Sequence, residues 1–192
     1  MTGEILLMIK VSEVLQHCSE IHNVLMNGKT LTDGESEGLE SIVSQQYHAH
    51  WMLRHNGSYD YSPDGIQAWV NRIDDWISNQ LQELKVECVS SSSLNTETPG
   101  LAFERLCNLL LDLKTLEDGQ HVETELAGNR QVRQQELAIC MLQIDDISQS
   151  LQILLDDIFA GRKRHRSYQQ FRMYNDPEMN AYLHQAERRL AG

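Results

Sequence analysis

Apolar residues along this chain recur at three- and four-residue steps, the spacing of one helix face, in five long stretches separated by turn-forming residues. Val11, Val14, Leu15, Cys18, Ile21 and Leu25 predict a first helix over 11–26, stopped by Asn27-Gly28. A polar loop from Thr30 to Ser36 leads to a second helix over about 37–55, with Leu39, Ile42, Val43, Gln46, His50 and Leu53 on one side and Asn56-Gly57 at its end. Ser62-Pro63-Asp64 is a start signal: serine caps, proline suits the first helical position and the acid complements the dipole. The third helix then runs to about Cys88, with Ile66, Trp69, Val70, Ile73, Trp76, Ile77, Leu81 and Leu84 in one stripe.

Ser90 to Asn95 reads as a linker loop, and Thr98-Pro99 repeats the capping arrangement. It opens a fourth helix that carries Phe103, Leu106, Leu109, Leu110, Leu113 and Leu116 and ends at Asp118-Gly119. The fifth helix, about 130–160, has the cleanest pattern: Leu137, Cys140, Met141, Ile144, Ile147, Leu151, Leu154, Leu155 and Ile158, with Gly161 as its stop. A basic, aromatic segment follows, and Asp176-Pro177 starts a short terminal helix with Tyr182, Leu183 and Leu190. No strand alternation and no internal repeat is visible. The expectation is a single all-α domain over 1–192, an antiparallel bundle of about five long helices plus a short C-terminal one.

Composition narrows the function classes. The 192 residues, 41% apolar, suffice for one continuous core. Sixteen Lys plus Arg against 28 Asp plus Glu give a net charge of −12, which argues against nucleic acid and against an anionic membrane surface as partners. The apolar stretch Ile5 to Ile9 is too short and wrongly flanked for a signal peptide, and no run approaches the roughly 20 residues that span a bilayer. Cys18, Cys88, Cys107 and Cys140 form no CxxC pair, so they read as small core residues of a reducing, cytoplasmic compartment.

The chain from Asn95 onward reads NTETPG, then FERL-x-x-LLL, a long amphipathic helix and GRKRHRSYQQFRMYNDP. This combination resembles a bacterial family of unknown function numbered 4254. The family's two signatures fall on Glu97, Thr98, Pro99, Gly100, Arg105 and Leu106, and on Tyr168, Gln170, Phe171, Met173, Tyr174, Asn175, Asp176 and Pro177. The resemblance covers the last half of the chain well and the first half poorly. Members carry a Trp followed by an acidic pair on the second helix, whereas here Trp51 is followed by Arg54 and His55. The resemblance implies a helical fold and bacterial origin and carries no established activity. Some members lie among genes for cell-surface polysaccharide assembly, which implies a pathway.

Glu97 puts a carboxylate beside a helix N-terminus, where free backbone N–H groups receive an anion or orient that carboxylate, so Glu97 is a candidate base or ligand. The structural alternative is that Thr98 caps, Pro99 sets the first turn and Gly100 permits close helix approach. The cations Arg162, Lys163 and Arg164, with Arg172, suit a phosphate or carboxylate; alternatively the cations after the fifth helix offset its dipole while Tyr168, Phe171 and Tyr174 pack. His48 and His55 share a face with Trp51 while His50 points away, and no HExxH occurs, so no metal is expected. The acid pairs Asp74-Asp75, Asp145-Asp146 and Asp156-Asp157 each offer one interior and one exterior carboxylate, with solvated helix flanks favoured over a paired interior acid. No GxSxG, GxxxxGKS or GxGxxG occurs, so neither covalent catalysis nor a bound cofactor is expected.

The leading expectation is a binding or accessory protein for an anionic small molecule or partner, its site lined by Glu97, Arg105, Arg172, Tyr174, Asn175 and Asp176. The alternatives are an enzyme, a hydrolase or transferase of surface-polysaccharide metabolism with Glu97 or Asp176 as general base, and a homo-oligomeric interaction protein using the Trp69 and Trp76 stripe or the fifth helix.

Overall fold

The computed structural model describes residues 9–27, 38–56, 63–89, 91–118 and 127–167, and five helices occupy most of them. They are α1 (Val11–Met26), α2 (Leu39–Asn56), α3 (Pro63–Glu83), α4 (Pro99–Asp118) and α5 (Ala127–Phe159). The fold class is all-α, as the periodicity predicts. Helix α4 is the hub, packing against α2, α3 and α5, while α1 rests on α2 and α5. The core forms where these contacts meet: Val14, Cys18, Val43, Tyr47, Ile73, Ile77, Phe103 and Leu106 are all fully buried.

Helix termini show how local chemistry sets the boundaries. Helix α1 has no side-chain cap; instead Gln152 of α5 accepts from the Val11 N–H at 2.9 Å and donates to the Ile9 carbonyl at 2.9 Å. One amide thus satisfies an orphan helix donor and docks α1 on α5. Helix α3 ends at Glu83, five residues short of the Cys88 expected, because Lys85 turns left-handed (φ 53°) and the Val86 N–H closes back on the Leu81 carbonyl. Leu84 is therefore exposed rather than part of the stripe, and Cys88 lies outside the core.

The segment expected to be only a linker holds a short strand. Ser93–Leu94 (β1) pairs in parallel with Lys163–Arg164 (β2), Ser93 opposite Lys163. Two residues carry no readable alternation, so periodicity misses them. Gly161, at φ +70°, makes the turn from α5 into β2 and lies so close to the Glu87 carbonyl that a Cβ has no room there. Ser92 Oγ donates to the Gly161 carbonyl at 2.8 Å and locks the turn.

Within the core, the Tyr47 hydroxyl and His22 Nδ1 lie 2.8 Å apart. Burial lowers the His22 pKa and raises that of Tyr47, so a neutral imidazole accepts from the phenol. Tyr47→Phe leaves His22 Nδ1 buried and unpaired; it should cost about 1–2 kcal/mol in urea unfolding with the fold unchanged by circular dichroism.

Candidate functional site

The Glu-Thr-Pro-Gly start of α4 is where the chain's most specific motif meets tertiary structure. Thr98 caps as expected, its Oγ1 accepting from the Leu101 N–H at 3.3 Å. The anion at this helix start, however, is not Glu97. Asp74, only 2% exposed on α3, accepts the Gly100 N–H on Oδ1 at 2.8 Å and also receives a hydrogen bond from the Thr98 side chain. A carboxylate from a neighbouring helix thus fills the positive end of α4.

Gly100 permits this approach. A Cβ built there would lie 2.5 Å from the Val70 carbonyl oxygen and 3.0 Å from the Asp74 carboxyl. Burial raises the Asp74 pKa, and the hydrogen bonds from Thr98 and Gly100, with the nearby His165, oppose that rise. The strand side closes the node: His165 Nε2 donates to the Asp74 carbonyl at 2.9 Å and Ser167 Oγ donates to Asp75 Oδ1 at 3.3 Å. The expectation of solvated acidic flanks holds for Asp145, Asp146 and Asp156, which are exposed, and fails at Asp74. One signal was available: Asp74 occupies a row with Val70, Ile77 and Leu81, an acid set among core positions.

Glu97 instead points into solvent at the mouth of a cleft of about 440 Å³ between α4 and α5. Leu101, Leu109 and Ile147 give this cleft its apolar surface, and Glu97, Glu104, Arg105 and Asp112 give it charge. Asp112 is engaged by Arg54 of α2, Nη1 to Oδ1 at 2.6 Å, and Glu104 Oε1 accepts from the Asn108 amide at 3.1 Å. Arg105 and the Glu97 carboxylate have no such partner among the described residues. The cleft therefore brings together two of the six expected site residues, Glu97 and Arg105. The other four, Arg172, Tyr174, Asn175 and Asp176, lie outside the described residues.

Two cations of the basic segment after α5 have partners within the fold. Arg162 Nε pairs with Asp157 at 2.7 Å, its Nη2 donates to the Asp156 carbonyl, and Lys163 Nζ donates to Asn95 Oδ1 at 3.2 Å. Arg162 thus offsets the exposed carbonyl end of α5. The histidines of α2 do not converge: His55 stacks on Trp51 with ring centroids 4.4 Å apart, while His50 is buried. No group of three or more His, Cys, Asp or Glu side chains is placed to hold a metal ion among the described residues. Three interior polar groups on α2, Gln46 Nε2, His50 Nε2 and Trp51 Nε1, have no hydrogen-bond partner among the described residues.

An all-α chain with a carboxylate-filled helix start and an open two-helix cleft is the class that this geometry defines. The sequence model of the family described as "Protein of unknown function (DUF4254)" matches residues 64–167, more than half of the chain, and the protein belongs to that family. The match spans α3, α4, α5 and both strands, so it encloses the Asp74 node and the cleft, and it stops short of Tyr168. No curated protein and no solved structure matches the chain. Among the described residues, no helix is long and apolar enough to cross a membrane.

Proposed function

We propose that this is a binding or accessory protein whose working surface is the α4–α5 cleft. The observation that carries this reading is the pairing, around an apolar surface, of a guanidinium, Arg105, and a carboxylate, Glu97, that are unengaged among the described residues. Three charges near the cleft and the element ends have partners within the fold: Asp74 on α4, Arg54 on Asp112 and Arg162 on Asp157. A cleft of about 440 Å³ falls within the usual range for ligand sites. Arg105 supplies the fork for the anionic group first expected, but three carboxylates line the same walls. The ligand chemistry that fits therefore includes a cationic group as well. The buried thiols Cys18, Cys107 and Cys140 favour a reducing compartment such as the cytoplasm.

A saturation-transfer NMR screen of amino acids, phosphorylated sugars and short peptides against the full chain tests this. Compounds that bind should shift the amide signals of Leu101, Arg105 and Ile147. Arg105→Ala should weaken them about tenfold, while its stability stays within about 0.5 kcal/mol, as expected for an exposed side chain. Binding that maps elsewhere, or is indifferent to Arg105, contradicts the reading.

A further inference from the structure

Resting on the binding role just assigned to the cleft, we infer that it is one end of a longer groove that seats a basic amphipathic helix of a partner protein. Two parallel rows of side chains define the groove. On α4, Leu101, Arg105, Leu109 and Asp112 follow one another at steps of four, four and three; on α5, Gln143 and Ile147 face them from positions four apart. Ile139 lies four residues before Gln143, so it extends the α5 row beyond the cleft. From Leu101 to Asp112 the α4 row is about 16 Å long, three turns of a helix laid alongside it.

The extension is apolar and uncovered among the described residues. Ile139 is 56% exposed, and Leu101 at the other end is 37% exposed. Ile139 is not displaced core, because the core-facing residues of α5 are Cys140, Leu151, Leu154, Leu155 and Ile158. An apolar trough between two helices suits the helix-in-groove mode of recognition, in which anchors at i, i+4 and i+7 enter from one face of the guest.

Charge selects the occupant. Glu97, Glu104 and Asp112 line the cleft, and on α5 the exposed Glu136 and Asp146 lie three residues before Ile139 and three after Gln143. Arg105 lines the cleft and Arg54 pairs with Asp112, while the whole chain carries −12. A guest helix with lysines or arginines flanking its apolar stripe gains from this field in both steering and register. A second copy would bring like-charged rims together. The residues after Ser167 have three arginines, Arg172, Arg188 and Arg189, balanced by Asp176, Glu178 and Glu187, and so lack the required bias.

The test is a titration of the isotope-labelled full chain with a synthetic four-turn peptide carrying leucines on one face and lysines on the other. A scrambled peptide and a version with glutamate for lysine serve as comparisons. The expected result is helix formation in the lysine peptide and shifts confined to Leu101, Leu109, Ile139, Gln143 and Ile147. I139S should weaken it about tenfold, and E97Q with E104Q should weaken it and flatten its salt dependence, while E13Q on α1 changes nothing. Equal binding of the scrambled or acidic peptide overturns the inference. So does a dimer in sedimentation that I139S dissolves, or nuclear Overhauser contacts between Ile139 and residues after 167 in the peptide-free protein. If the peptide fails while Arg105→Ala still weakens the small-molecule hits, the occupant is wrong and the cleft stands; failure of both removes the cleft.

Discussion

Gly100→Ala should lower the unfolding free energy by about 2–4 kcal/mol, although alanine is the better helix former by roughly 1 kcal/mol. The new methyl would meet the Val70 carbonyl oxygen at 2.5 Å, and a backbone oxygen inside α3 cannot swing aside. Helices α3 and α4 must separate, which stretches the 2.8 Å hydrogen bond from Gly100 to Asp74 and leaves a buried carboxylate short of a donor. Gly65→Ala provides the control, because nothing lies within 4 Å of its Cβ position. That variant should be neutral or gain up to about 1 kcal/mol. Equal midpoints for the two variants in urea unfolding would mean that Gly100 is not a contact glycine.

Acidification from pH 6.5 to 4 should remove up to about 3 kcal/mol of stability through His50 alone. Burial pushes its pKa down to about 4, with the Arg54 guanidinium adding to the effect, so the folded protein keeps this imidazole neutral where the unfolded chain protonates it near 6.5. Between those values the unfolded state binds more protons. The contribution is therefore complete above about pH 6.5 and is lost as pH falls through the window.

His22, also lowered by burial, acts in the same direction. Asp74 acts in the opposite one: its raised pKa lets the folded state take a proton first, so acidification stabilises through that group. His50→Leu isolates the histidine, since it removes the titration and also the unpaired Nε2. The difference in stability between wild type and variant should shift by about 3 kcal/mol in the variant's favour between pH 6.5 and 4. Parallel profiles would contradict a buried neutral His50.

Helix existence was written in the sequence because each helix commits one apolar stripe to a common core. Helix α1 spans Val11–Met26 as the spacing predicts, and α4 follows from Thr98-Pro99 and Asp118-Gly119. The end of α3 was not legible, because a left-handed Lys85 leaves no composition signal of the kind that glycine leaves. The node at Gly100 was half legible. Thr-Pro-Gly announces a capped, closely approached helix start, but the acid that fills it comes from 26 residues upstream, and only packing chooses Asp74 over the adjacent Glu97.

Arg105 and Glu97 are both legible from the family signature at the start of α4, and both line the cleft. Its other wall, Gln143 and Ile147, depends on which faces of α4 and α5 meet; each helix alone shows only its own periodicity. Ile139 was missed for a related reason. The strong inward pattern of α5 hides a second, weaker apolar set on its outer side.

Site-specific photo-crosslinking in living cells tests the central claim, that the α4–α5 cleft is the working surface, most directly. A photoreactive phenylalanine analogue placed at Gln143, in the cleft wall, should give a discrete adduct that Arg105→Ala or Ile139→Ser diminishes. The same analogue at the exposed Glu13 of α1 should give none. Adducts of equal yield from both positions, or a discrete adduct from Glu13 with none from Gln143, would place the working surface elsewhere.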